Sequence, residues 1–161
     1  MRRLEVQILL GAQDSLKIQR QFLSNLISHK PYFNQELPSY TEIYSLDGER
    51  ITHSLNLVET TKNPLQHSEN IAINQAIDLT KSRYLENCIL LTALEPCTMC
   101  MGSILKARIA KVIYFLPNDK GDGISFSPIE WIYQMNHFPI LEYVENKEIF
   151  SEWKTFFMDK R

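Results

Sequence analysis

The sequence predicts an α/β protein in which helices cover a mixed β-sheet. One observation is the hairpin signal Asp47-Gly48, which separates two short segments with strand-like patterns. Another is the alternation of helical and strand patterns between residues 67 and 144, which is typical of right-handed strand–helix–strand crossovers. A third is that the 161 residues contain no repeat, linker or low-complexity tract. We therefore expect residues 1–161 to form a single domain.

The individual elements follow from the spacing of apolar residues. Apolar side chains recur at helical intervals within residues 1–30, and Pro31 would end that helix. Residues 88–94 are almost wholly apolar, as expected of a buried strand. The other predicted strands are 41–46, 51–57, 112–116 and 140–144. The other predicted helices are 67–81, 97–108, 127–134 and a C-terminal segment that contains Phe150, Trp153, Phe156 and Phe157.

Composition narrows the functional classes. An apolar content of 44% with 22% charged residues is ordinary for a globular protein, and no apolar run is long enough to span a bilayer. The patch Ile8-Leu9-Leu10 is too short for a secretory signal, so we expect a cytoplasmic protein without a membrane partner. A formal charge of −2 means that nucleic-acid binding would depend on a local basic patch.

The strongest chemical signal is a set of metal-ligating residues in two segments. His67-Ser68-Glu69 and Pro96-Cys97-Thr98-Met99-Cys100 match the H-x-E and P-C-x-x-C pattern of zinc deaminases. His67, Cys97 and Cys100 supply one imidazole and two thiolates, which can hold zinc and leave one tetrahedral position open for water. We predict one Zn²⁺ per subunit, with its ligands in the first turns of two helices, where the helix dipole favours thiolate.

Glu69 lies two residues after a ligand and is not needed as one. We predict that it is the catalytic acid–base residue, which takes a proton from water and delivers protons to the ring nitrogen and the departing ammonia. A partly dry pocket would raise the pKa of its carboxyl group and suit it to both tasks.

Two other interpretations of the cysteines stay open. A redox pair formed by Cys97 and Cys100 would leave His67 and Glu69 unexplained. A structural zinc site would normally have a fourth Cys or His ligand at comparable spacing. The remaining cysteine, Cys88, begins an apolar strand, where we expect a buried and inert thiol.

The motifs also resemble those of a known family. The segment Leu94 to Ile104 is close to the T-L-E-P-C-x-M-C-x-G-A-I of bacterial tRNA-specific adenosine deaminases, which belong to the cytidine/deoxycytidylate deaminase superfamily. Residues 63–69 are similar to that family's D-P-T-x-H-A-E, with Ser68 in place of alanine. The resemblance runs from about Glu36 to the end of the chain.

This resemblance implies a three-layer α/β/α fold with a five-stranded mixed sheet, a homodimer, and hydrolysis of a tRNA wobble adenosine to inosine with release of ammonia. It implies that Asn56 hydrogen-bonds the target base and that Glu95 and Pro96 belong to the substrate site. The tRNA anticodon loop is the implied partner. The implied candidates for RNA contact are Lys120, Asn136, His137, Phe156, Lys160 and Arg161.

The chain departs from the family pattern at two places. Where the family has P-V-G-A-V, this chain has Pro38-Ser39-Tyr40-Thr41-Glu42, and Pro117 stands where the family has the arginine of G-A-R-D-x-K-x-G. The first departure replaces a small glycine at the pocket wall beside the base. The second replaces an arginine and so removes a contact to an RNA phosphate.

Two other functions therefore stay open. One is deamination of a free base or nucleoside of the guanine or cytosine type. The other is a non-catalytic RNA-binding or scaffolding subunit, which would not need Glu69. Convergence of the basic side chains around the zinc would favour RNA; these are Lys106, Lys111, Lys120, Lys160 and Arg161.

Overall fold

This computed structural model describes residues 12–30, 36–118 and 121–159, which contain six α-helices, one 3₁₀ helix (Ile124–Phe126) and five strands. The helices are α1 (Ala12–His29), α2 (Val58–Thr61), α3 (Ser68–Thr80), α4 (Thr98–Ala107), α5 (Ile129–Gln134) and α6 (Lys147–Asp159). The strands are β1 (Tyr40–Ser45), β2 (Arg50–Leu55), β3 (Cys88–Leu94), β4 (Lys111–Leu116) and β5 (Ile140–Tyr143). The first eleven residues of the predicted N-terminal helix lie outside the described residues. No helix among the described residues is long and apolar enough to cross a membrane.

The strands form one mixed sheet in the order β2-β1-β3-β4-β5. Strand β1 pairs antiparallel with both β2 and β3, whereas β3, β4 and β5 are parallel. Gly48 in the hairpin turn has a φ of +80°, a left-handed conformation that costs glycine little. The predicted sheet of five mixed strands is confirmed.

Helices cover both faces of this sheet. On one face, Phe22 of α1 is fully buried and stacks on Phe115 of β4 with ring centroids 5.1 Å apart. On the other face, Ala72 of α3 and Ile104 of α4 pack with Leu90 of β3, and all three side chains are fully buried. The two apolar cores account for the predicted α/β/α layers, and α3 and α4 share the face that carries the metal-ligating segments.

Both ligand-bearing helices begin one residue later than predicted. His67 has an extended backbone, with φ −70° and ψ 146°, so it caps α3, which begins at Ser68. Cys97 likewise has an extended backbone and caps α4, so only Cys100 lies in a first helical turn. The difference is small, because a capping residue lies at the same helix end as the first-turn residues.

Two other boundaries also differ from the prediction. The strand expected at 51–57 ends at Leu55, because the chain turns there toward α2. The helix expected at 127–134 begins at Ile129, because Pro128 caps it with a ψ of 137°, outside the helical region.

A buried carboxylate ties α1 to the hairpin. Glu42 is fully buried and accepts hydrogen bonds from the hydroxyls of Tyr40 and Tyr44, each at 2.6 Å. It also accepts from the amide of Asn25 at 2.7 Å and the guanidinium of Arg50 at 2.9 Å. Burial and this carboxylate raise the pKa of both tyrosines. The departure from P-V-G-A-V thus builds a satisfied polar cluster on the face of the sheet that α1 covers.

Candidate metal centre and active site

The three predicted ligands meet where the N-termini of α3 and α4 come together. His67 Nδ1 lies 3.7 Å from Cys97 Sγ and 3.5 Å from Cys100 Sγ. The three ligand atoms all lie within 4.8 Å of one another. The structure therefore gathers residues that are 30 and 33 positions apart in the chain.

These distances fit zinc. Bonds of about 2.3 Å to sulfur and about 2.0 Å to nitrogen, at tetrahedral angles, place neighbouring ligand atoms roughly 3.5 Å apart. One imidazole and two sulfurs also suit zinc far better than they suit magnesium or calcium, which prefer oxygen. Cys88 is buried in β3, and burial raises the pKa of its thiol to about 11. Within the described residues no fourth Cys or His joins the cluster, as a structural zinc site would require.

The side chains of the cluster favour one thiolate. The pKa of Cys97 is lowered to about 3, because the Cys100 thiol and His67 hydrogen-bond to its sulfur. The same bond to Cys97, together with burial, raises the pKa of Cys100. Hydrogen bonding to Cys97 also raises the pKa of His67. Negative charge therefore collects on the Cys97 sulfur, which faces a cation site at two helix N-termini.

Glu69 lies beside this cluster in the first turn of α3 and is 4% exposed. Burial raises the pKa of its carboxyl group. The carboxyl group contacts the Cys100 thiol and accepts a 3.2 Å hydrogen bond from the Ser68 hydroxyl. It is thus adjacent to the ligands without being one of them, as the predicted acid–base role requires.

Asn56 is held by a residue that sequence analysis missed. Its side-chain nitrogen donates a 2.9 Å hydrogen bond to Glu36, and both residues are buried. Because an ionised carboxylate only accepts, this bond fixes which side of the amide carries the nitrogen. Burial raises the pKa of Glu36, but hydrogen bonds from Thr60, Glu59 and Asn56 outweigh it and leave that pKa below its usual value. Contact of Asn56 with a base stays a prediction.

Glu95 holds a loop against the ligand segment. It is 1% exposed, and its carboxylate accepts the backbone N–H groups of Asn118 at 2.9 Å and Ser125 at 2.7 Å. The carbonyl of Pro96 accepts the N–H of Ile124 at 2.9 Å. Both carboxylate oxygens of Glu95 are therefore occupied by backbone groups, which supports a loop-holding role; substrate contact by Glu95 and Pro96 stays a prediction.

We expect Gly123→Ala to destabilise the protein by about 1–3 kcal/mol, because a new side chain there would overlap a group that cannot retreat. A Cβ on Gly123 would lie 2.5 Å from the carboxyl carbon of Glu95, whose oxygens are held by backbone N–H groups. Chemical denaturation measures the change.

The matched control is Gly102→Ala in α4, where a Cβ meets nothing within 4 Å. Alanine is the better helix former, so this variant should unfold at the wild-type denaturant concentration or above. Equal losses for the two glycines would show that Glu95 does not enforce the close approach.

The candidates for RNA contact are only partly described. Asn136 is exposed, and His137 is half-buried with Nε2 2.6 Å from the carbonyl oxygen of Ile109. Phe156 lies within α6. Three of the candidates lie outside the described residues: Lys120, Lys160 and Arg161.

Convergence of the basic side chains on the metal centre stays a prediction. Lys106 is exposed in the last turn of α4, whereas Lys111 is paired with Glu142 at 2.5 Å. The other three basic residues of that set are the ones that lie outside the described residues.

Comparison with known proteins also indicates a zinc site in the central segment of the chain, residues 42–116. Residues 42–116 match the cytidine and deoxycytidylate deaminase zinc-binding region, and the match includes all three ligands and Glu69. A tRNA-specific adenosine deaminase of Aquifex aeolicus is 40% identical over 78 residues, which cover 48% of this chain and 52% of that protein. A guanine deaminase of Bacillus subtilis is 41% identical over 68 residues, which cover 42% and 44%. The chain spans about half the length of the curated relatives it matches.

The fold is shared with a solved tRNA:A34 deaminase. That structure aligns with a TM-score of 0.71 at 24% identity, over 86% of this chain and 99% of the other. The matched segment, the zinc ligand set and the five-stranded sheet agree with one another. The similarity to the cytidine and deoxycytidylate deaminase zinc-binding region therefore extends over residues 42–116, which contain His67, Glu69, Cys97 and Cys100.

Proposed function

We propose that the protein is a hydrolytic deaminase that converts the wobble adenosine of a tRNA to inosine and releases ammonia. The observation that carries the proposal is the buried Glu69 carboxyl group beside a three-residue zinc site. Zinc held by His67, Cys97 and Cys100 would lower the pKa of a coordinated water and so supply a nucleophile near neutral pH.

The chain's own residues perform the proton transfers in this proposal. Glu69 accepts a proton from the attacking water, whose oxygen bonds to the ring carbon that carries the amino group, and passes that proton to the ring nitrogen. Glu69 then moves the proton of the new hydroxyl group to the amino nitrogen, the carbon–nitrogen bond breaks, and ammonia leaves a carbonyl group behind. The amide of Asn56, oriented by Glu36, holds the edge of the base.

Two arguments support a tRNA substrate: the activities of the relatives, and the need for an unstacked base that can reach the buried Glu69. Adenosine deaminases of tRNA are among the proteins that this chain resembles. A base that is stacked in a duplex cannot reach a buried acid–base residue, whereas the anticodon loop can present an unstacked base. We also propose that residues 1–161 form one catalytic domain, and that the enzyme is a cytoplasmic homodimer.

A second candidate is a deaminase of free guanine or another free base or nucleoside. The guanine deaminase relative supports it, since its identity over the matched segment is 41% against 40% for the tRNA enzyme. Pro117 in place of an arginine and the net charge of −2 also favour a small substrate over RNA. A non-catalytic subunit is disfavoured, because it would not need a carboxyl group buried beside the metal.

A screen of ammonia release separates these candidates. The zinc-loaded protein is incubated with adenine, guanine, cytosine, their nucleosides, and an anticodon stem-loop with adenosine at the wobble position. We expect inosine in the stem-loop, no ammonia from the free bases, and no reaction in a control stem-loop with guanosine at that position. If ammonia is released from a free base and not from the stem-loop, the second candidate replaces the tRNA deaminase. Ammonia from none of them would overturn both.

A further inference from the structure

A chain of buried hydroxyl groups leads from the sheet to Glu69. The Ser68 hydroxyl oxygen lies 2.9 Å from that of Ser39 and 2.8 Å from that of Thr41. Thr41 in turn donates a 3.1 Å hydrogen bond to the hydroxyl of Thr92 on β3. We call these four residues, Ser39, Thr41, Ser68 and Thr92, the hydroxyl cluster; each of them is at most 4% exposed. Two neighbouring strands therefore fix the position of the Ser68 oxygen.

The proton of Ser68 has one dominant acceptor. A serine hydroxyl has one proton and two lone pairs, so three close partners use its full capacity. Ser68 donates to the Glu69 carboxylate at 3.2 Å. The competing acceptor for its proton is the neutral hydroxyl of Thr41, whose own proton goes to Thr92. The base that accepts a proton from water must be ionised, and hydrogen bonds to an ionised group are stronger than those between neutral groups; no water competes at the fully buried Ser68 oxygen.

The cluster is built from positions at which this chain departs from the family pattern. Ser68 replaces the alanine of H-A-E, and Thr41 replaces the alanine of P-V-G-A-V. These two substituted residues contact each other in the structure. A hydroxyl at only one of the two positions would leave a buried polar group with fewer partners, so the pair is physically coupled.

We propose that Ser68 is a positioning residue that fixes the orientation of the Glu69 carboxylate beside the Cys100 sulfur. Thr41 lies in β1 and Ser39 directly precedes that strand; both contact Ser68, and Ser68 donates to the carboxylate. The inference rests on the proposed deaminase function only for its kinetic consequence, since the orientation of Glu69 can be observed without a substrate.

The test compares Ser68→Ala with Ser54→Ala. Each variant removes one buried serine hydroxyl, but the Ser54 hydroxyl donates to the backbone carbonyl of Ser68, whereas the Ser68 hydroxyl donates to Glu69. Alanine is favourable in a helix, so Ser68→Ala should fold. We expect kcat to fall roughly 10-fold or more in Ser68→Ala with KM within about twofold, because a hydrogen bond to a charged group contributes at that level. We expect kcat within about twofold of wild type in Ser54→Ala.

High-resolution crystal structures of the same variants give a readout that needs no activity. We expect one conformer of Glu69 in the wild type and in Ser54→Ala, and several conformers in Ser68→Ala, with zinc content unchanged. Unaltered Glu69 in Ser68→Ala would overturn the proposal, and so would equal kcat losses in the two variants. A wild type that turns over no substrate would count against the proposed function alone, because the conformers of Glu69 would still decide the role of Ser68.

Discussion

Replacing Glu69 with glutamine should abolish ammonia release while leaving zinc in place. We expect kcat to fall by about 10³-fold or more, because general acid–base transfer alone contributes between about 10² and 10⁴, and glutamine can neither accept the proton of water nor return it. Zinc content should stay at one per chain, since Glu69 is not among the ligands. Ammonia assays and elemental analysis of the same sample provide the measurement.

The free energy of unfolding of Glu69→Gln shows whether a loss of activity comes from lost proton transfer or from misfolding. Burial raises the pKa of Glu69, so any stability its carboxyl group contributes is present below its unfolded pKa near 4.5 and is lost as the pH rises through the folded value. At neutral pH the zinc-free Glu69→Gln protein should therefore unfold at the same denaturant concentration as wild type or a higher one.

The control variant is Asp78→Asn, which removes an exposed carboxylate from the same helix and should keep full activity. Wild-type turnover in Glu69→Gln would exclude the proposed proton transfers.

Replacing Cys100 with alanine should remove the metal and the activity together. The side chain is fully buried and supplies one of three ligands, so its loss leaves only His67 and Cys97. The metal supplies several kcal/mol of transition-state stabilisation, which corresponds to a loss of roughly 10³-fold or more in kcat. Zinc content should fall close to zero after desalting, and the melting temperature of the wild type should drop toward that of the variant when a chelator is added.

Cys88→Ala is the matched control, because it removes the same chemical group from a buried position in β3. It should lower the free energy of unfolding by about 1 kcal/mol through lost packing, with zinc content and ammonia release unchanged. Zinc retained in Cys100→Ala but lost in Cys88→Ala would show that the ligand set has been assigned wrongly.

The metal centre can be predicted from the sequence because its ligands occur in short, self-contained motifs. Cys97 and Cys100 are three residues apart, and one helix start places both sulfurs on the same side. The only error is local: His67 and Cys97 are caps and not first-turn residues, a difference set by one extended backbone conformation at each helix end. Apolar periodicity is likewise sufficient for the strands and for the layers around them.

The residues that support the centre could not be predicted in the same way. Glu36 and Asn56 lie 20 positions apart, and the backbone N–H groups that bind Glu95 lie 23 and 30 positions after it. Such bonds depend on where the strands and loops are placed in three dimensions, and they leave no periodic signal in the chain. The resemblance assigns Glu95 to the substrate site, next to Pro96, whereas its structural partners belong to a distant loop.

The most direct test of the central claim is a titration of metal-free protein with zinc while ammonia release is followed. If His67, Cys97 and Cys100 hold the one metal ion that deamination needs, release should be absent without metal and should rise linearly to a plateau at one zinc per chain. Full release by metal-free protein would contradict the account. So would a protein that binds one zinc and releases no ammonia from any free base, nucleoside or anticodon stem-loop.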